Sequence, residues 1–252
     1  MLEVSHANLN FSGLQAINDV SIKVLDGTIT AMIGPNGAGK TTLFNIIAGV
    51  YKPDSGSVLL DGVDITGLKP FEICNHGITR TYQVIKLFTG MSALDNVLVG
   101  MHINYKLNFF QDIFHTKKMR QKEKESKERA LELLKLVGLD EYAEITASSL
   151  SYGQQRLLEI ARALASNPKI ILLDEPAAGM NLKEKNDLCD RLRAITKMGI
   201  TILIVEHDMS LVMNVADEIY VINSGKNLAH GTPDEIANNK DVIEAYLGSG
   251  DE

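Results

Sequence analysis

The sequence predicts an α/β fold built on a parallel sheet, and three observations predict it. First, apolar runs at 170–173 and 201–205 alternate with helical patterns at 182–197 and 211–216, and a further strand pattern follows at 218–223. Strands that alternate with helices pair in parallel through crossover connections. Second, a β-prone segment at 28–33 (TITAMI) leads into a glycine-rich loop and then a helix pattern at 41–48, with Gly49 as its C-cap. Third, the stretch from about Ser92 to Ala165 is mostly helical and has no low-complexity linker at either side. It therefore reads as an insertion into the α/β core and not as a separate domain.

The remaining elements follow in chain order. Val20, Ile22 and Val24 alternate with polar residues, as in a half-buried strand, and Asp26-Gly27 marks the next turn. A short strand at 58–60 lies between the turn signals 54–56 and Asp61-Gly62. Within the helical middle, residues 117–129 carry seven basic and three acidic side chains. A solvated helix face accounts for such a run, and contact with anionic head groups or a partner is the other reading.

Composition narrows the function classes. The 252 residues are 45% apolar and 23% charged, enough for a substantial core. A net charge of −7 gives no overall pull toward nucleic acid or anionic lipid. Cys74 and Cys189 stand alone, which fits ordinary thiols in a reducing compartment. The first eleven residues alternate polar with apolar and include Glu3, so no secretory signal is expected. The longest apolar runs fall far short of the roughly 20 residues of a membrane helix. The expectation is a chain soluble by itself, whose membrane role, if any, requires partners.

Two motifs carry phosphate chemistry. Residues 34–41 read GPNGAGKT, between a strand pattern and a helix pattern. Gly34, Pro35, Asn36, Gly37, Ala38 and Gly39 form the loop. Its glycines let the backbone curl so that successive N–H groups face phosphate oxygens. The helix N-terminus adds positive potential there. Lys40 can reach the β- and γ-phosphates, the Thr41 hydroxyl can ligate Mg²⁺, and Thr42 continues the same wall. The second motif is 170–175 (IILLDE): four apolar residues, then two carboxylates at the strand's C-terminal end, where α/β sheets bind ligands. Asp174 is expected to hold Mg²⁺ through water, and Glu175 to polarise an attacking water as general base. Together they imply ATP and Mg²⁺.

A third motif, LSYGQ at 150–154, resembles the signature of ABC ATPases, usually LSGGQ. Leu157, Ile160, Ala161 and Leu164 place it on an amphipathic helix, with Ser151 as the cap. Tyr152 departs from the usual glycine, and Gly153 is kept. The resemblance implies a P-loop NTPase (RecA-like) core with an antiparallel β subdomain and an inserted α-helical subdomain. The implied partition is 1–91, 92–165 and 166–252 within one domain. It also implies that Ser151, Gly153 and Gln154 close on ATP held by a second ATPase subunit. By order and context, Gln83 matches the glutamine that touches Mg²⁺ or water, and His207 matches the histidine that contacts the γ-phosphate. Phe11 matches the aromatic that stacks on adenine, and a core position is its other reading. Asn181 stands where aspartate is usual.

Within the class, the chain resembles the ATPases of branched-chain amino-acid importers, the LivG type. The residues that carry this are GITRTYQ (77–83), SYGQQRLLEIARAL (151–164), DEPAAGMN (174–181), VEHDM (205–209) and the tail GTPDEI…AYLG. The resemblance implies transmembrane permease subunits, a second ATPase subunit and, indirectly, an external substrate-binding protein as partners. Nucleic acid is not among them, and the location implied is the cytoplasmic face of the cell membrane. An amide or urea importer, a lipopolysaccharide-type exporter and a soluble non-transport ABC ATPase remain alternatives.

Overall fold

The computed structural model describes residues 1–101 and 117–247. Ten strands are seen among them: β1 (Leu2–Phe11), β2 (Leu14–Val24), β3 (Ile29–Ile33), β4 (Ser55–Leu60), β5 (Val63–Asp64), β6 (Ile78–Arg80), β7 (Ile170–Asp174), β8 (Thr201–Val205), β9 (Glu218–Asn223) and β10 (Lys226–Gly231). One sheet has the order β2-β1-β4-β5 and is antiparallel. The other has the order β10-β9-β3-β8-β7-β6 and is parallel except for the β9–β10 hairpin.

Residue type explains the difference between the sheets. Strands β3, β7 and β8 read ITAMI, IILLD and TILIV and are buried at every position, as parallel strands covered on both faces must be. In β2, Val20, Ile22 and Val24 are buried while Lys23 points outward. The parallel sheet is the wall between two apolar clusters, because successive side chains point to opposite faces. Ile171, Leu173, Ile202 and Ile204 enter one cluster; Ile170, Leu172, Leu203 and Val205 enter the other. The first cluster takes its remaining members largely from helices α3 (Ala93–Met101), α4 (Lys117–Leu136), α5 (Tyr152–Leu164), α6 (Leu182–Lys197) and α7 (Met209–Val215). The second is closed by α1 (Lys40–Ile47) and the antiparallel sheet, with Ile73 from the short α2 (Pro70–Asn75). Two further helices, α8 (Pro233–Ala237) and α9 (Lys240–Leu247), end the described chain.

The structure departs from the sequence reading at a few boundaries. Ser55 and Gly56 belong to β4 and not to the preceding turn. Gly56 has φ +91°, and a Cβ there would lie 2.4 Å from the His6 carbonyl oxygen, so glycine permits the close approach of β1. Helix α7 begins at Met209, because the Asp208 side chain accepts from the Leu211 N–H and caps it. Strand β10 (KNLAHG) has no clean alternation and escapes the period-2 test. On α4, residues 121–129 are exposed except the half-buried Ser126, and Lys124 pairs with Glu128 at 3.8 Å. The side chains of Lys117, Lys118 and Arg120, and Gly248 of the tail, lie outside the described residues. Among the described residues, no helix is long and apolar enough to cross a membrane.

Candidate active site

Strand β3 delivers the chain into the loop 34–39, and α1 carries it away. Three glycines adopt conformations that side chains resist: Gly34 at φ +150°, Gly37 at +79° and Gly39 at +104°. At Gly34 an added Cβ would lie 1.9 Å from the Ile222 carbonyl oxygen of β9, and at Gly39 2.7 Å from the Ala16 carbonyl oxygen. The loop is thus wedged between β9 and β2. Gly34→Ala is expected to cost roughly 3 kcal/mol or more of unfolding free energy, read from urea unfolding midpoints.

No side chain caps the start of α1, so its first N–H groups remain available to an anion. Lys40 is buried and donates to the carbonyls of Gly34 at 2.7 Å and Pro35 at 2.8 Å. Burial pushes its ammonium pKa down, and the nearby Glu175 opposes this. Asn36 and Thr41 are exposed beside it, Thr42 is half-buried and Ala38 is buried. A groove of about 490 Å³ runs along this loop, lined among others by Phe11, Gln15, Lys40, Thr41 and Ser224. Phe11 ends β1, is 40% exposed and belongs to neither core cluster. Its ring meets that of Tyr51 edge-on, with centroids 5.1 Å apart.

The two carboxylates at the end of β7 differ in surroundings. Asp174 is 4% exposed, and one of its oxygens accepts from Arg80 at 2.7 Å. Arg80 also donates to the Asn45 side chain at 2.5 Å and lies 5.3 Å from the ring centroids of both Phe44 and Tyr82. Glu175 has φ +47° and is more open. One of its carboxylate oxygens accepts from Gln83 Nε2 at 3.1 Å, and the other lies 3.7 Å from His207 Nδ1. Gln83, Glu175 and His207 therefore converge. Beneath them, the buried Glu206 accepts from the backbone N–H groups of Ala177 at 2.9 Å and His207 at 3.2 Å. Burial pushes its carboxyl pKa up, and those N–H groups oppose the shift.

The signature residues lie elsewhere. Ser151 and Gln154 form a reciprocal cap on α5: Ser151 N–H donates to Gln154 Oε1 at 2.9 Å, and Gln154 N–H donates to Ser151 Oγ at 3.3 Å. A Cβ at Gly153 would meet a Glu184 carboxylate oxygen at 3.1 Å. Ser151, Gly153 and Gln154 are not among the residues lining the phosphate-loop groove. Asn181 caps α6, its side chain accepting from the Glu184 N–H at 3.0 Å. Sequence reasoning missed Tyr51, Arg80, Arg156 and Glu206. Three of these sit inside strings it had read for other residues, and burial of a charged side chain leaves no mark in a sequence.

Comparison with known proteins points to one family. A family model described as ABC transporter matches residues 17–178. Another, described as branched-chain amino acid ATP-binding cassette transporter, matches residues 226–252. The high-affinity branched-chain amino acid transport ATP-binding protein BraF of Pseudomonas aeruginosa is 47% identical over 249 residues, covering 98% of each chain. The corresponding LivG protein of Escherichia coli K12 is 44% identical, also covering 98% of each chain. A probable LivG of Archaeoglobus fulgidus is 39% identical over 253 residues, covering 100% of this chain and 96% of its own. Among solved structures, an ATP-binding cassette of an ABC transporter in its ADP conformation superposes with a TM-score of 0.86, at 36% identity and 98% coverage of each chain. A dimeric post-hydrolysis cassette bound to ADP and Pi gives a TM-score of 0.77, at 26% identity, covering 92% of this chain and 99% of its own.

Proposed function

This chain belongs to the ABC transporter family as one of its ATP-binding cassettes, and from that premise we propose that it powers import of branched-chain amino acids through separate permease subunits. The observation that carries the catalytic part is the convergence of Gln83 and His207 on the Glu175 carboxylate. The cargo rests on the branched-chain family match over 226–252 and on the printed functions of the relatives.

In the proposed mechanism two ATPase subunits enclose two ATP molecules. Each ATP lies between the phosphate loop of one subunit and Ser151, Gly153 and Gln154 of the other. The loop N–H groups and Lys40 hold its phosphates, and Phe11 stacks on adenine. Glu175 orients the attacking water and takes its proton, with Gln83 donating to the carboxylate and His207 meeting the γ-phosphate. The donor set of Thr41, Gln83 and Asp174 is all oxygen chemistry, with Arg80 engaging one Asp174 oxygen, and so fits a hard cation. Those three would hold Mg²⁺, which when bound neutralises charge on the phosphate oxygens. Loss of the γ-phosphate removes the contacts that keep the pair closed.

The proposed location is the cytoplasmic face of the membrane, beside the permeases. A groove of about 460 Å³, lined among others by Ile73, Tyr82, Phe88 and Val99, opens next to the segment 83–94 and suits a cytoplasmic helix of a permease. The segments 1–91, 92–165 and 166–252 then correspond to core plus β subdomain, helical subdomain with the signature, and core with C-terminal tail. An external binding protein supplies the cargo.

Uptake of radiolabelled leucine, isoleucine and valine tests this in cells with and without the gene. Uptake is expected to fall on deletion and to return with wild type but not with Glu175→Gln. Unchanged uptake on deletion would remove the cargo assignment and leave an amide importer or an exporter in its place.

A further inference from the structure

Tyr152 stands where glycine is commonest in the signature, and its contacts give it a task. Its ring lies over Gly179, where φ is +74° and an added Cβ would come within 3.1 Å of two ring carbons. Its hydroxyl accepts from Arg156 Nη2 at 3.0 Å. Arg156 is 2% exposed on the same helix, α5. Its Nη1 donates to the Tyr82 carbonyl at 2.6 Å, and its Nη2 donates to the Gln83 carbonyl as well. Glu159, equally buried, lies 3.5 Å from Arg156 Nη1 and accepts from the Lys86 N–H at 3.2 Å. The α5 side chains thus fix the backbone of residues 82–86 from beneath. Gln83 in turn donates its side-chain N–H to Glu175.

A buried guanidinium cannot give up carbonyl partners without leaving N–H donors buried and unsatisfied, even with Glu159 beside it to balance the charge. The backbone at Gln83 therefore follows any movement of α5. Tyr152 ties the same guanidinium to the segment around Gly179, which precedes α6. The geometry points to Tyr152 and Arg156 as positioning residues for ATP hydrolysis: they couple residues 177–181 and the signature helix to Gln83, and through Gln83 to the Glu175 carboxylate. Neither touches the reacting atoms. This deepens the proposed function and rests on the roles given there to Gln83 and Glu175.

The test is steady-state ATP hydrolysis by the full chain, with kcat and KM for ATP separated. Tyr152→Phe removes one hydroxyl from an exposed ring and leaves the fold intact. It is expected to lower kcat about threefold with KM within about twofold. Arg156→Lys keeps the charge but loses the two-pronged grip, and is expected to lower kcat by roughly tenfold or more. Should Arg156→Lys fail to fold, Tyr152→Phe carries the test alone. The decisive arm repeats Tyr152→Phe in a Gln83→Ala background, where its effect on kcat is expected to shrink below about 1.5-fold, because the two act along one path.

Unchanged kcat in Tyr152→Phe, a change in KM alone, or full persistence of the loss in the Gln83→Ala background would each overturn the coupling. No hydrolysis by the wild-type chain, or wild-type turnover in Glu175→Gln, would instead undo the underlying roles. Hydrolysis by the wild type with an inert Tyr152→Phe undoes the coupling only.

Discussion

Glu175→Gln is expected to lower ATP turnover by about 10³-fold while nucleotide affinity stays within about threefold of wild type. Glutamine keeps the volume of the side chain and can still hydrogen-bond to Gln83, which now donates to Glu175 at 3.1 Å. What it cannot do is accept a proton from water. His207 lies 3.7 Å from the carboxylate and is largely exposed, so it lacks the enclosed position of a substitute base. With ATP bound and unhydrolysed, the closed pair has no route to reopen. A stable dimer in ATP, absent in ADP, is expected by size-exclusion chromatography. Turnover at the wild-type rate would remove the general-base role from Glu175.

Lys40→Ala is expected to weaken ATP binding by about 10- to 100-fold, since a hydrogen bond to a charged group contributes roughly 1.5–3 kcal/mol. The ammonium is held inside the loop by the carbonyls of Gly34 and Pro35, and burial lowers its pKa. A phosphate arriving at the loop gives that charge a better partner than two carbonyls. Folding also loses about 1–3 kcal/mol, because the Gly34 carbonyl is left buried without this donor. Titration with a fluorescent ATP analogue, together with thermal unfolding, separates the two effects. Wild-type affinity with lost turnover would instead confine Lys40 to the transition state.

Much of the fold was legible in the sequence because its strands are extreme. ITAMI, IILLD and TILIV are mostly apolar on both faces, and a sheet covered on both sides buries such runs. Helix α6 was legible from its helical pattern, in which Leu188, Leu192 and Ile195 recur on one face; its Asn181 cap was not read from the sequence. Strand β10 was not, because its polar residues leave the period-2 pattern unreadable. The phosphate loop and the paired carboxylates could be read because their chemistry is local in sequence. Arg80 and Glu206 could not, since each matters through partners far along the chain. Arg80 reaches Asn45 and Asp174, and Glu206 gathers the N–H groups of Ala177 and His207. Tyr152 could be read only as a departure from the usual glycine, because the contact of its ring with Gly179 joins residues far apart in sequence.

The strand order of the parallel sheet has a consequence for how the protein is made. β3, the strand that launches the phosphate loop, pairs with β8 and β9 and with no strand between them in sequence. Its first partner is synthesised about 170 residues later, a high contact order for so central a strand. At about 5–20 residues per second, the ribosome needs roughly 10–35 s to supply that partner. During that interval the loop has no sheet to stand on, and the nascent chain carries the phosphate-binding sequence without a phosphate-binding site. The nucleotide grip, encoded near the start of the chain, is thus among the last features the growing polypeptide acquires.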